Sequence, residues 1–168
     1  LPSVQFAYST ALDVQLEKQP DGSWRQQRRH LVYDRHTTPQ DLFFYNQIQG
    51  ITVAHRKELF FEVGGYDERL AVVIDWDLWR RIAALTPPYY VSRVTAERTL
   101  RNDATTPGHG HLTRLIDKDP VAYYLNRLRI LRKPLEFAGD PKQQAVLSKL
   151  RSDGRWELMM VIGEDRLK

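Results

Sequence analysis

At residues 62–68 the chain reads Glu62-Val63-Gly64-Gly65-Tyr66-Asp67-Glu68, and at residues 74–82 it reads Ile74-Asp75-Trp76-Asp77-Leu78-Trp79-Arg80-Arg81-Ile82. A glycine just after a helix is a common left-handed cap, so we expect a helix over residues 55–63 that ends at Gly64. Apolar residues at helical spacing, among them Trp76, Trp79 and Ile82, predict a helix over residues 75–85. Asp75 can cap its start, where a negative charge also complements the helix dipole.

The segments before this stretch alternate like a β-hairpin. Val4 to Leu16 alternates loosely and is rich in Val, Phe, Tyr and Thr, which predicts a strand. After the turn residues Pro20-Asp21-Gly22-Ser23, Trp24 to Tyr33 would be the returning strand of the hairpin. Thr38 followed by Pro39 predicts a helix that runs through Phe44 or Tyr45. The weaker patterns predict a short strand over residues 49–54, two short strands over 89–99, a loop over 101–111, a helix over 112–135 broken near Asp119-Pro120, and a helix over 142–150.

Composition limits the classes of protein that the chain can belong to. Its 168 residues fit one domain, and the absence of cysteine excludes disulfides and thiolate metal sites. No apolar run has the ~20 residues that a membrane-spanning helix needs. The net charge is +4, and its densest basic group is Arg127, Arg129, Arg132 and Lys133. This group indicates either contact with phosphate or lipid headgroups or a solvated helix face.

The order of these elements resembles the acceptor-side half of family 2 glycosyltransferases, the inverting GT-A fold enzymes that build bacterial polysaccharides. The resemblance covers residues 4–103 and is strongest over Val63 to Glu68 and Asp75 to Arg81. It implies an α/β fold, the C-terminal part of a GT-A fold, with a small mixed sheet flanked by helices. Ile74 departs from the family pattern, because the family commonly has Glu at that position.

The resemblance implies roles for several residues of the central stretch. Asp75 matches the general base that takes a proton from the acceptor hydroxyl, although a simple N-cap would also explain an Asp there. Asp77 matches the second acid of the motif. At ~100° per residue it points about 200° away from Asp75, so we expect a supporting role in packing or hydrogen bonding. The predicted acceptor contacts are Gly65, Tyr66, Asp67 and Trp76, with a place in the core as the alternative for Trp76.

Cationic and imidazole side chains in and beside the predicted loop over residues 101–111 are candidates for the donor side. Surface arginines are common, but in this family such residues can neutralise the leaving diphosphate, which makes Arg98, Arg101 and Arg114 candidates. His109 and His111 would lie on one side of an extended segment and could help to hold a divalent ion, or could simply occur in a polar loop. The resemblance implies Mg²⁺ or Mn²⁺, with its main ligands outside this chain.

These expectations describe part of a longer enzyme. Residues 1–137 would form the acceptor-side half, and residues 138–168 a helical extension or the start of a following segment. The partners would be a nucleotide-sugar donor and a glycan or lipid-linked acceptor, at a cytoplasmic location with peripheral membrane contact, and this part alone would be inactive. The alternative is a non-catalytic carbohydrate-binding or interaction module of the same fold. Nucleic-acid binding is disfavoured, because no compact basic and aromatic signature is present.

Overall fold

The sheet is built around the first strand of a long two-stranded hairpin. The computed structural model describes residues 3–102, 119–133, 141, 145, 148–149, 151–156 and 159. Strand β1 (Phe6–Lys18) pairs antiparallel with β2 (Trp24–Val32), from Ala11 opposite Val32 to Lys18 opposite Trp24. At the tip, Gly22 has φ +85°, and the carboxylate of Asp21 accepts hydrogen bonds from Ser23. The predicted hairpin is therefore confirmed.

Two further strands complete a mixed sheet around β1. The short β3 (Ala54–His55) pairs antiparallel with the first residues of β1, and β4 (Tyr89–Asn102) runs parallel to β1 along most of its length. The two short strands predicted over 89–99 are in fact one strand, whose register against β1 shifts near Thr10. The α/β class and the small mixed sheet were correctly predicted.

Capping residues determine where the first helix begins. Helix α1 (Pro39–Phe44) begins after Thr38, whose hydroxyl accepts from the backbone N–H of Asp41 while the Asp41 carboxylate accepts from the N–H of Thr38. The strand predicted over residues 49–54 is wrong, because Gly50–Thr52 forms a turn of 3-10 helix. Both the N–H and the hydroxyl of Thr52 donate to the carbonyl of Gln49, which closes the turn locally.

Two helices flank the glycine pair. Helix α2 (Lys57–Glu62) is followed by Gly64 and Gly65, whose φ values of +80° and +68° confirm the predicted left-handed stop. Helix α3 (Ile74–Leu85) begins after Val73, which has φ +54° and is its N-cap. The predicted N-cap role of Asp75 is therefore wrong: Asp75 already lies in the first turn, and its carboxylate accepts from the N–H of Trp76.

The buried face of α3 packs against two apolar clusters. The first joins α3 to the sheet through Phe6, Tyr8, Leu78, Trp79 and Ile82. The second joins it to α1 and to helix α4 (Pro120–Arg132) through Phe43, Leu70, Trp76, Ile130 and Leu131. Each such side chain stabilises the fold by roughly 1.5–3 kcal/mol relative to exposure. Together the clusters fix α3, and with it the acidic segment, between the sheet and α4.

Helix α4 begins at the predicted break. Asp119 is its N-cap, with a carboxylate that accepts from the N–H of Ala122, and Pro120 occupies the first turn. The predictions for residues 103–118 and for most of 142–150 lie outside the described residues. None of the described helices combines the length and apolar character needed to cross a bilayer.

Candidate functional site

Asp75 lies at the start of α3 with its carboxylate only partly engaged. Its Oδ1 accepts from the backbone N–H of Trp76 at 2.8 Å, and its Oδ2 lies 3.4 Å from the side-chain amide nitrogen of Asn46. On the remaining side is Gly50, where a Cβ atom would come within 3.7 Å of Oδ2. The side chain is partly exposed. Because a carboxylate can accept about four hydrogen bonds, Asp75 keeps acceptor capacity for a further hydroxyl.

Tyr33 lies close enough to Asp75 for the carboxylate charge to affect the pKa of its hydroxyl. Burial raises the pKa of Tyr33; the positive charge of Arg98 opposes the shift, and the negative charges of Asp75 and Asp13 add to it. Tyr33 follows directly after β2 and has φ +54°, which a residue with a large side chain rarely adopts. Sequence reasoning assigned Tyr33 only to the end of a strand, and no sequence signal marks its left-handed backbone.

Arg98, predicted to contact the donor diphosphate, is paired within the sheet. Its Nε donates to Oδ1 of Asp13 at 2.8 Å, and its Nη2 donates to Oδ2. Asp13 is buried, and its hydrogen bonds raise the pKa of Arg98. The second predicted arginine, Arg101, lies over the ring of Trp24, with the guanidinium carbon 5.7 Å from the ring centroid. A diphosphate would therefore have to share Arg98 with Asp13, a partner that sequence reasoning missed.

Asp77 occupies a different environment from Asp75. Its side chain is fully buried, and its Oδ2 lies 2.8 Å from Nη2 of Arg81. The same Nη2 also donates to the carbonyl of Gly65 at 2.7 Å. On the other side, Nζ of Lys133 lies 2.7 Å from Asp77 Oδ1 and 2.7 Å from Oδ2 of Asp67. Asp77 thus ties the glycine turn and the end of α4 to α3, which agrees with a supporting role.

The residues predicted to contact the acceptor are distributed between surface and core. Tyr66 is half-exposed, and its ring packs edge-on against Phe60 with centroids 5.4 Å apart. Asp67 accepts from Arg69 and pairs with Lys133, and these contacts hold the pKa of Asp67 well below its usual range.

Trp76 belongs to the core. It is 3% exposed, and its indole N–H donates to the carbonyl of Leu42 at 2.7 Å. Because stacking on a sugar needs an exposed ring face, the acceptor contact predicted for Trp76 does not fit this placement. Ile74, the position that departs from the family pattern, packs beside Trp76 against the second cluster.

The remaining predicted residues cannot be placed in this site. His109, His111 and Arg114 lie outside the described residues, so the metal and diphosphate contacts assigned to them stay predictions. Within the described part of the chain, no three His, Asp or Glu side chains are grouped as a metal site would need.

Comparisons with protein-family models, curated proteins and solved structures found no match to the chain.

Proposed function

We propose that the chain forms the acceptor side of an inverting glycosyltransferase that uses a nucleotide-sugar donor, with Asp75 as the general base. The observation that carries this proposal is the contrast between the two carboxylates at the start of α3. Asp77 is buried and paired with two cations, whereas Asp75 is partly exposed and keeps free acceptor capacity. Of the two, Asp75 is therefore the one that an acceptor hydroxyl can reach.

Inverting glycosyl transfer needs a group that takes the proton of the attacking hydroxyl. The acceptor oxygen attacks the anomeric carbon of the donor and forms the new C–O bond, while the bond to the nucleoside diphosphate breaks with its electron pair. Asp75 receives the proton of the attacking hydroxyl. General-base assistance of this kind contributes about 10²–10⁴-fold to the rate. The divalent cation that the resemblance implies would neutralise the diphosphate. We expect its main ligands outside this chain, and none of these steps relies on it.

Neighbouring residues support the placement of this base. The amide of Asn46 contacts Asp75 Oδ2, and the Trp76 N–H holds Oδ1, so the carboxylate is oriented from two directions. Two residues next to this site, Tyr33 and Val73, have positive φ although they are not glycine. Such strain costs roughly 1–3 kcal/mol per residue and tends to occur at functional sites.

The test is the substitution Asp75→Asn in the intact protein. Release of nucleoside diphosphate would be measured over a panel of nucleotide sugars with candidate glycan acceptors. We expect turnover to fall by about 10²–10⁴-fold with little change in the acceptor KM. The matched control is Asp21→Asn, which removes a carboxylate in the hairpin turn. Near-normal turnover of Asp75→Asn would remove Asp75 from this role.

Glycan binding, measured together with donor turnover, distinguishes the enzyme from a non-catalytic carbohydrate-binding module. Ile74 favours the module, because it places an apolar side chain where the family commonly has an acid. Glycan binding by the intact protein without turnover of any donor would support the module and contradict the enzyme.

A further inference from the structure

A cationic pocket lies where the turn after Gly65 meets the end of α4. It has a volume of about 610 Å³, and its described lining residues are Asp67, Arg69, Leu70, Arg129, Arg132 and Lys133. A neighbouring hollow of about 580 Å³ shares Asp67, Arg69 and Lys133 and continues along the glycine turn to Arg81. Volumes of this size are typical of small-molecule sites.

The pocket holds more positive charge than its carboxylates neutralise. Four cations line it, three from α4 and its end and one, Arg69, from the segment before α3. Asp67 is the one carboxylate among the described lining residues, and Asp77 lies outside them but pairs with Lys133. Two positive charges remain in excess even when both acids are counted. A dianion is the ligand that would balance them.

Most of these cations are held in place before any ligand binds. Arg69 donates to both carboxylate oxygens of Asp67, at 2.8 and 2.9 Å. Nη1 of Arg129 donates to the carbonyl of Arg69 at 3.2 Å, which joins two segments 60 residues apart. Arg132 is exposed, and no described residue forms a hydrogen bond with it. A solvated helix face would not require cations from two distant segments to converge in this way. Side chains that are already fixed also lose less entropy when a ligand binds.

We infer that this pocket binds a diphosphate or phosphomonoester group. Guanidinium groups match phosphate oxygens in planar pairs, and the excess of two charges matches a dianion better than the single charge of a phosphodiester headgroup. The pocket lies on the Asp77 side of α3, about 200° around the helix from Asp75. It is therefore a second site, and its ligand does not depend on the proposed base.

The test uses inorganic pyrophosphate and the intact protein in titration calorimetry. We expect saturable binding that weakens about tenfold or more in Arg132→Gln, because one charge-assisted hydrogen bond is lost. The control is Arg28→Gln, which removes the same charge from an exposed position on β2. Thermal melting checks that both variants fold. Absence of saturable binding, or equal weakening in the two variants, would overturn the inference.

Vesicles distinguish a free diphosphate from one carried by a lipid. Neutral phosphatidylcholine vesicles would be prepared with and without farnesyl diphosphate. Arg132-dependent flotation with farnesyl diphosphate, competed by pyrophosphate, identifies a lipid-linked ligand, and binding of pyrophosphate without flotation identifies a free one. Arg132-dependent binding to phosphatidylglycerol vesicles that pyrophosphate does not compete would instead indicate a membrane surface and refute the inference.

Discussion

The substitution Asp77→Asn tests whether the buried carboxylate holds the glycine turn and α4 against α3. Asn keeps the volume of Asp77, so no cavity forms, but the negative charge between Arg81 and Lys133 is lost. Removing one partner of a buried ion pair costs about 3–5 kcal/mol. Because the side chains of Arg81 and Lys133 are 17% and 22% exposed, they can regain some water, and we expect the lower end, about 3 kcal/mol.

Urea unfolding followed by circular dichroism would measure this loss. The midpoint should fall while the m-value stays unchanged, and the melting temperature should drop by about 6–12 °C. Asp75→Asn is the matched control, since it removes the same charge two residues earlier from a partly exposed site. Its cost should stay within about 1 kcal/mol, the size of a helix-dipole contribution. If both variants lost the same stability, Asp77 would not be the structural member of the pair.

Two further predictions concern the glycine turn and its neighbour. Gly65→Ala should cost more than Gly64→Ala in the free energy of unfolding: both residues have positive φ, worth about 1–2 kcal/mol for alanine, but only at Gly65 would the new Cβ meet the ring of Phe60, at 3.2 Å. Equal costs would show that the Phe60 ring can move away from the new Cβ without a measurable loss of stability. Because Arg69 and Lys133 lower the pKa of Asp67, its stabilisation is present above its unfolded pKa, near 4, and is lost as the pH falls through the folded pKa. Asp67→Asn should therefore flatten the fall in stability below pH 4, and an unchanged acid profile would contradict this.

Helix ends that depend on adjacent residues were correctly predicted from the sequence for α1 and α2. The Thr38-Pro39 pair fixed the start of α1, and the glycine pair fixed the end of α2, because capping bonds and positive φ depend on adjacent residues. The N-cap of α3 was misassigned by two positions, to Asp75 instead of Val73. Val73 has φ +54° as its N-cap, a conformation that a β-branched residue rarely adopts and that no propensity predicts.

Contacts between distant residues could not be predicted from the sequence. Asp13 and Arg98 are 85 residues apart, and their pairing depends on the parallel register of β1 and β4. The indole of Trp76 bonds to the carbonyl of Leu42 only because α1 packs against α3. Periodicity correctly placed Trp76 on the apolar face, yet it could not show that this face would be closed off by α4.

Helix geometry explains why the two acids of α3 do different work although one residue separates them. At ~100° per residue, Asp75 and Asp77 must face nearly opposite sides of the helix. One side meets Asn46 and Gly50 and stays partly open, and the other meets Arg81 and Lys133 and is sealed. Arg81 then extends the sealed side to the carbonyl of Gly65. The glycine turn and the acidic helix start are thus one structural unit, and its stability sets the position of the carboxylate that remains accessible.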